Sequence, residues 1–261
     1  MIRIGALISG SGTNLQAIID ACESGSIPGQ MVFVGSDNPV AGGLDRGKKH
    51  GIPTFVTHYN TIIKSYRENP SEQVLPKDFD YSEIVSKQSL FSKNAGSKIM
   101  KDFLSTRAIA EADLLIQMAR YPFDLVVLAG FMRNLTPYFI DRVNTVPGKP
   151  KIMNIHPALL PAFPGIDGYG DTFRYGCKIG GCTVHFIDYG EDSGPIISQK
   201  AFKITPEDTL DTVKKKGLEL EWELYPECIE LYAKRYLKAV KKTYTLENNE
   251  KVTRTIVEIK G

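Results

Sequence analysis

The sequence predicts an α/β fold: a doubly wound, mostly parallel sheet with helices on both faces and a C-terminal β-hairpin. Three observations carry this expectation. Short apolar runs alternate with helix-like stretches through the first half of the chain, the pattern of βαβ crossovers. Asp124–Ala129 (DLVVLA) is an unbroken aliphatic run, typical of a central parallel strand covered on both faces. Near the end, Glu247-Asn248-Asn249-Glu250 separates two alternating runs within Thr243–Ile259, which reads as a hairpin.

In order, Ile2–Ile8 reads as a buried strand, and Leu15–Cys22 as a helix opened by Ser, Gly, Thr and Asn. Met31–Val34 is a second strand, Gly42–His50 a short helix and Thr54–Val56 a third strand. The polar stretch from Tyr59 to about Ser92, with Pro70 and Pro76, shows weak periodicity and reads as a partly helical insertion on the sheet's edge. A helix is expected from about Ala95 to Arg120, with Ile99, Phe103, Ala110, Leu114 and Met118 as its apolar stripe. Lys151–Asn154, Cys182–Asp188 and Ile196–Ile204 follow as strands. Thr205-Pro206-Glu207-Asp208 has an N-cap residue, a first-turn proline and acids against the dipole, so it predicts a helix start. That helix is expected to run to about Ala239. The reading is one domain over residues 1–240, with an insertion at about 59–92 and a tail at 241–261.

Composition narrows the function classes. At 261 residues, 42% hydrophobic and 24% charged, the chain has the profile of a soluble globular protein rather than a disordered or fibrous one. A formal charge of +2 argues against nucleic acid or a membrane surface as partner, so an anionic ligand must be held locally. The four cysteines form no C-x-x-C pair, which favours a reducing, cytoplasmic setting. His50, His58 and His185 lack ligand-like spacing with them, so no metal is inferred. No run approaches the roughly 18 apolar residues of a membrane span.

Four places have the residue types for chemistry. Ser9-Gly10-Ser11-Gly12-Thr13-Asn14 lies between the first strand and helix, where free backbone N–H groups attract a phosphate. The competing reading is a tight turn with a helix cap and no ligand. A dinucleotide fingerprint would need a third glycine where Leu15 stands. Asn154 and His156 end a strand and, with one residue between them, point to the same side; a structural histidine is the competing reading. Asp192 lies in the turn-forming stretch Asp188–Pro195, and acyl transfer through a histidine needs such a carboxylate to orient the imidazole. Ala129–Leu135 follows the central strand and offers either an apolar slot for a flat ring or a plain βα turn. The Lys214–Lys216 run and the Lys241-Lys242 pair read as solvated faces.

Taken together, LISGSGTNLQAIID, SDNPVAGGLDRGKKHGIPT, DLVVLAGFMR, KIMNIHPALLPAFPG, GCTVHF, DSGPII and ELEWELYP resemble the folate-dependent glycinamide ribonucleotide formyltransferases. They occur in that family's order across nearly the whole chain; the 59–92 stretch and the tail are poorly covered. The resemblance implies a Rossmann-like formyltransferase fold. It also implies transfer of a formyl group from 10-formyltetrahydrofolate, as cosubstrate, to the amine of 5'-phosphoribosylglycinamide in de novo purine (IMP) synthesis. Direct amine attack through a tetrahedral intermediate is implied, with no metal. Asn154, His156 and Asp192 match the catalytic trio. Gly12, Thr13 and Asn14 would hold the substrate phosphate, and Glu221 would touch the same substrate. Met132, Arg133, Asn134 and Leu135, with Arg107 and Asn154, would lie along the folate. Small-molecule substrates and a monomer or homodimer are implied. Sibling 10-formyltetrahydrofolate-dependent transferases or hydrolases with another acceptor share the trio's logic. The segment Ile166–Asp171 departs from the family's usual pattern after Pro164-Gly165.

Overall fold

The computed structural model describes residues 1–92 and 97–260. Strands β1 (Ile2–Ile8), β2 (Gly29–Ser36), β3 (Thr54–Val56), β4 (Leu125–Leu128), β5 (Ile152–His156), β6 (Ile179–Phe186) and β7 (Ile196–Lys203) form one sheet in the order β3-β2-β1-β4-β5-β6-β7. The first five in that order pair in parallel, whereas β6 and β7 are antiparallel. The expected mostly parallel sheet is therefore present, with an antiparallel margin.

Alternation along the strands divides the interior in two. Ile4, Ala6 and Ile8 of β1, with Leu125 and Val127 of β4, enter one core. That core is closed by α1 (Thr13–Glu23), α2 (Gly42–Lys49) and α8 (Leu210–Ala233). Leu7, Val126 and Leu128 enter the other, covered by α5 (Ser97–Met118) and α6 (Pro137–Val143). Both faces are thus buried, which is why the central strands carry uninterrupted aliphatic runs.

The 59–92 stretch holds α3 (Tyr59–Glu68) and α4 (Tyr81–Lys87). It follows the edge strand β3 and builds a satellite core in which Ile84 meets Leu104, Ala108 and Tyr138. On α5, the expected start at Ala95 lies outside the described residues. Ala110, Leu114 and Met118 are buried as expected, but Ile99 is exposed. A short α7 (Gly168–Arg174), unsignalled by periodicity, follows β5.

The predicted helix start at Thr205 is corrected. Asp208 Oδ2 accepts the Thr205 amide at 2.8 Å, closing a turn. Thr209 is the cap, in a reciprocal box with Thr212. The helix also ends earlier, at Ala233, and the hairpin β8 (Leu237–Thr245) and β9 (Lys251–Ile259) begins before the expected boundary at 241. Leu237 and Val257 pack on the first core.

Candidate active site

The C-terminal ends of β1, β4 and β5 open onto a cavity of about 410 Å³, within the range of small-molecule sites. At one side stands α1. Gly12 caps it with φ 72°, a left-handed conformation that glycine adopts freely, and no side chain bonds the helix start. Burial offsets the missing cap. Leu15, Ile18 and Ile19 are 0–1% exposed and contribute about 1.5–3 kcal/mol each, more than the roughly 1 kcal/mol of a cap. The first-turn N–H groups are thereby left for an anion. The loop itself is held by Arg46, whose Nε donates to the Ser11 carbonyl at 2.9 Å.

Asn14 does not turn its side chain to that loop. Its Nδ2 donates to Glu221 Oε2 at 2.6 Å, leaving Oδ1 buried without a donor. Asn14 and Glu221 line the cavity, whereas Gly12 and Thr13 stand outside its wall. Glu221 interrupts the buried face of α8 between Gly217 and Leu224, and its other oxygen accepts the Tyr169 hydroxyl at 2.7 Å. Burial raises this carboxyl's pKa, and the Asn14 and Tyr169 bonds oppose the rise.

The structure brings Asn154, His156 and Asp192 together. Asn154 and His156 leave the end of β5 on one side, and Tyr225 of α8 steadies that end by donating to the Met153 carbonyl at 2.8 Å. Asp192 arrives on the loop after β6 with φ 48°, uncommon for a residue with a side chain. Its Oδ2 lies 3.2 Å from His156 Nδ1 and accepts the Gly165 amide at 2.8 Å. His156 Nε2 faces the Phe163 carbonyl at 2.8 Å. Acceptors therefore stand at both ring nitrogens.

A further histidine belongs to this group. The antiparallel register sets His185 opposite Asn154. His185 Nδ1 donates to the Phe186 carbonyl at 3.0 Å, so its Nε2 accepts from Asn154 Nδ2 at 3.2 Å. Asp192 Oδ1 lies 3.7 Å from the same nitrogen. Burial lowers the His185 pKa despite the opposing charge of Asp192, which suits the neutral tautomer. Sequence spacing alone set His185 aside, because only the strand register reveals its partner.

Met132, Arg133, Asn134 and Leu135 all line the cavity, with Leu128, Phe131 and Ile187 adding apolar wall. The Met132 amide donates to Ser9 Oγ at 2.8 Å, tying this turn to the glycine loop. Arg133 pairs with Asp37 at 2.5 Å and Asn60 at 2.9 Å. Asn134 Nδ2 reaches Glu191 Oε1 at 3.1 Å. The turn's far end is held by Glu111, which accepts the Thr136 amide and hydroxyl at 2.8 and 2.5 Å.

Arg107, expected along the folate, is not among the residues that line this cavity. It is 8% exposed, its guanidinium lies 4.6 Å from the Phe103 ring centroid and 5.5 Å from that of Tyr59, and its Nε has no hydrogen-bond partner. Lys214, expected on a solvated face, instead lines the cavity, loosely paired with Asp167 at 3.7 Å. Among the described residues, no cluster of three or more His, Cys, Asp or Glu is placed to hold a metal. No helix among them is long and apolar enough to cross a membrane.

An anion-ready helix start, an amide–imidazole–carboxylate cluster and an apolar slot at the strand ends of a doubly wound sheet define a group-transfer enzyme of the α/β class. The formyl transferase family model matches residues 2–229, and the chain belongs to that family. It is 34% identical over 238 residues to the phosphoribosylglycinamide formyltransferase of Haemophilus influenzae, covering 91% of this chain and 90% of that protein. The Bacillus subtilis enzyme of the same name is 30% identical over 229 residues, covering 88% and 93%. Among solved structures, glycinamide ribonucleotide transformylase 1 from Symbiobacterium toebii is similar with a TM-score of 0.69 and 34% identity, covering 100% of this chain and 95% of that one. The hairpin β8–β9 follows the family match.

Proposed function

We propose that this chain is a phosphoribosylglycinamide formyltransferase, an enzyme of cytoplasmic purine synthesis that moves a formyl group from 10-formyltetrahydrofolate to the amine of 5'-phosphoribosylglycinamide. The observation that carries the reading is the Asp192 carboxylate within reach of both His156 and His185, with Asn154 bonded to the latter. The first-turn N–H groups of α1 would bind the ribonucleotide phosphate, and Lys214 would add a cation at the same end of the cavity. The Met132–Leu135 turn would take the flat ring of the folate against Phe131 and Ile187.

The chemistry follows from what each side chain donates. Amine attack on the formyl carbon puts negative charge on the formyl oxygen. Asn154 Nδ2 has a second hydrogen beyond the one given to His185, and directs it at that oxygen. The protonated His156 ring supplies the other donor once the Phe163 carbonyl releases Nε2. One such donor is typically worth about 3–4 kcal/mol. Asp192 orients the ring. Through a water, it would also accept the proton leaving the attacking nitrogen and return it to the departing one.

The test is incubation of the protein with 10-formyltetrahydrofolate, with and without 5'-phosphoribosylglycinamide, following loss of the formyl donor. Loss that requires the amine is expected. Equal loss without it would mark a hydrolase, and loss only with another amine would mark a sibling transferase.

A further inference from the structure

Asp192 stands on a loop whose position is set from outside it. The loop runs from β6 to β7, and Asp188 closes its turn: Oδ1 accepts the Gly190 amide at 3.1 Å and the Ser193 hydroxyl at 2.6 Å. Those bonds shape the loop without placing it on the body of the protein. Asp192 holds φ 48°, a conformation that persists only where the surroundings enforce it.

Three residues earlier, Tyr189 ties the loop down twice. Its carbonyl accepts the Ser89 amide at 2.9 Å, and its hydroxyl donates to Asp141 Oδ1 at 2.5 Å. Its ring packs on the second core. Beside it, loop and inserted stretch approach so closely that a Cβ at Gly190 would meet the Ser193 hydroxyl and stand 2.9 Å from that of Ser89.

Both anchors are themselves fixed. Ser89 follows α4, which Ile84 joins to Leu104, Ala108 and Tyr138. Asp141 lies on α6, where Tyr138 and Arg142 bond Asp78 of the inserted stretch at 3.0 and 2.6 Å. Lys87 reaches the other Asp141 oxygen at 2.8 Å, a half-exposed pair that adds little. On the opposite side, the slot turn meets the loop through the exposed Asn134–Glu191 bond.

The structure assigns Tyr189 as a positioning residue for the reaction: with its phenol on Asp141 and its carbonyl on Ser89, it makes the inserted stretch a brace that holds the Asp192 carboxylate against His156. This rests on the reading of Asp192 as the carboxylate of the reaction. That carboxylate serves His156 within hydrogen-bond reach, at 3.2 Å from Nδ1, and a displacement of about 1 Å is enough to cost about a hundredfold in rate. Tyr189 is not among the residues that line the cavity. Its loss should therefore appear in kcat and not in KM.

The experiment compares wild type, Tyr189→Phe, Asp141→Ala, the two combined, and Asp192→Asn, in formyl transfer and in amide hydrogen exchange. Phenylalanine keeps the ring on the core, so the fold is retained. Tyr189→Phe is expected to lower kcat by about tenfold, the scale of one hydrogen bond to a charged group, with both KM values within about twofold of wild type. Exchange should quicken by about tenfold at Ser89 and across residues 188–194, and stay at the wild-type rate in β1 and β4. Both substitutions break the same bond, so the double variant should be no slower than Asp141→Ala. A merely structural tyrosine would lower the yield of folded enzyme and leave kcat and loop exchange where they were. Wild-type loop exchange in Tyr189→Phe, an unchanged kcat there beside a crippled Asp192→Asn, or multiplying losses in the double variant would overturn the proposal. Full turnover in Asp192→Asn, or none in the wild type, would instead overturn the reaction assigned above, and the exchange rates then decide the brace by themselves.

Discussion

The two ends of the cavity are built on opposite plans. At the polar end, Asn14, Tyr169, Glu221, His156, His185 and Asp192 are already hydrogen-bonded to one another or to the main chain. At the slot end, Leu135 is buried but Met132 is 55% exposed, and the wall is mostly apolar. Preorganised donors serve charge that develops during reaction, whereas an apolar slot binds reactant and transition state alike. Substitutions at the first end should therefore be read in turnover, and those at the second in stability and folate affinity.

The largest expected effect is at the polar end. Asp192→Asn and His156→Ala should each lower kcat by about a hundredfold or more, the scale of losing one oxyanion donor, directly for His156 and by loss of the carboxylate that orients it for Asp192, while phosphate binding survives. Near-normal kcat in both variants would erase the distinction between the ends. Next, Leu135→Ala at the slot end should cost about 2–4 kcal/mol of stability in denaturant unfolding, with the KM for folate raised. A loss of kcat alone would show that this turn takes part in the chemistry.

A pH effect ranks third. Burial pushes Glu111 up to about 8, against the opposing Thr136 bonds. Its folded-state pKa lies above that of the unfolded chain. Its contribution to stability is therefore present below the ordinary carboxylate range and declines as pH rises towards the folded value. Glu111→Gln, uncharged throughout, should gain on the wild type by a few degrees of Tm between about pH 5 and pH 8. A Tm difference constant with pH would mean that Glu111 titrates normally. Smallest of all, Met132→Ala should leave stability within about 0.5 kcal/mol and raise the folate KM by only about threefold; a larger rise would make the exposed rim a principal contact.

How far the sequence could be read depended on how local each signal was. Asn154 and His156 lie two apart on one strand, so their shared side was legible before any coordinates. The strands of the central sheet were legible from unbroken aliphatic runs such as Leu125–Leu128. His185 was not, because its pairing with Asn154 depends on an antiparallel register that no local pattern encodes. Arg107 was the hardest to place because it stands just beyond the inserted stretch, where correspondence with the family is loosest; in the structure its guanidinium packs on the Tyr59 and Phe103 rings. Thr205 and Thr209 both look like helix caps; Asp208 decides between them by folding back on Thr205.

The inserted stretch touches the Asp192 loop through one bond in particular: the Ser89 amide donates to the Tyr189 carbonyl at 2.9 Å. Main chain meets main chain there, so any residue other than proline can stand at 89 and keep it. The stretch is therefore free to drift in composition yet constrained in its residue count, since slipping the chain by one position would carry a different amide past the carbonyl.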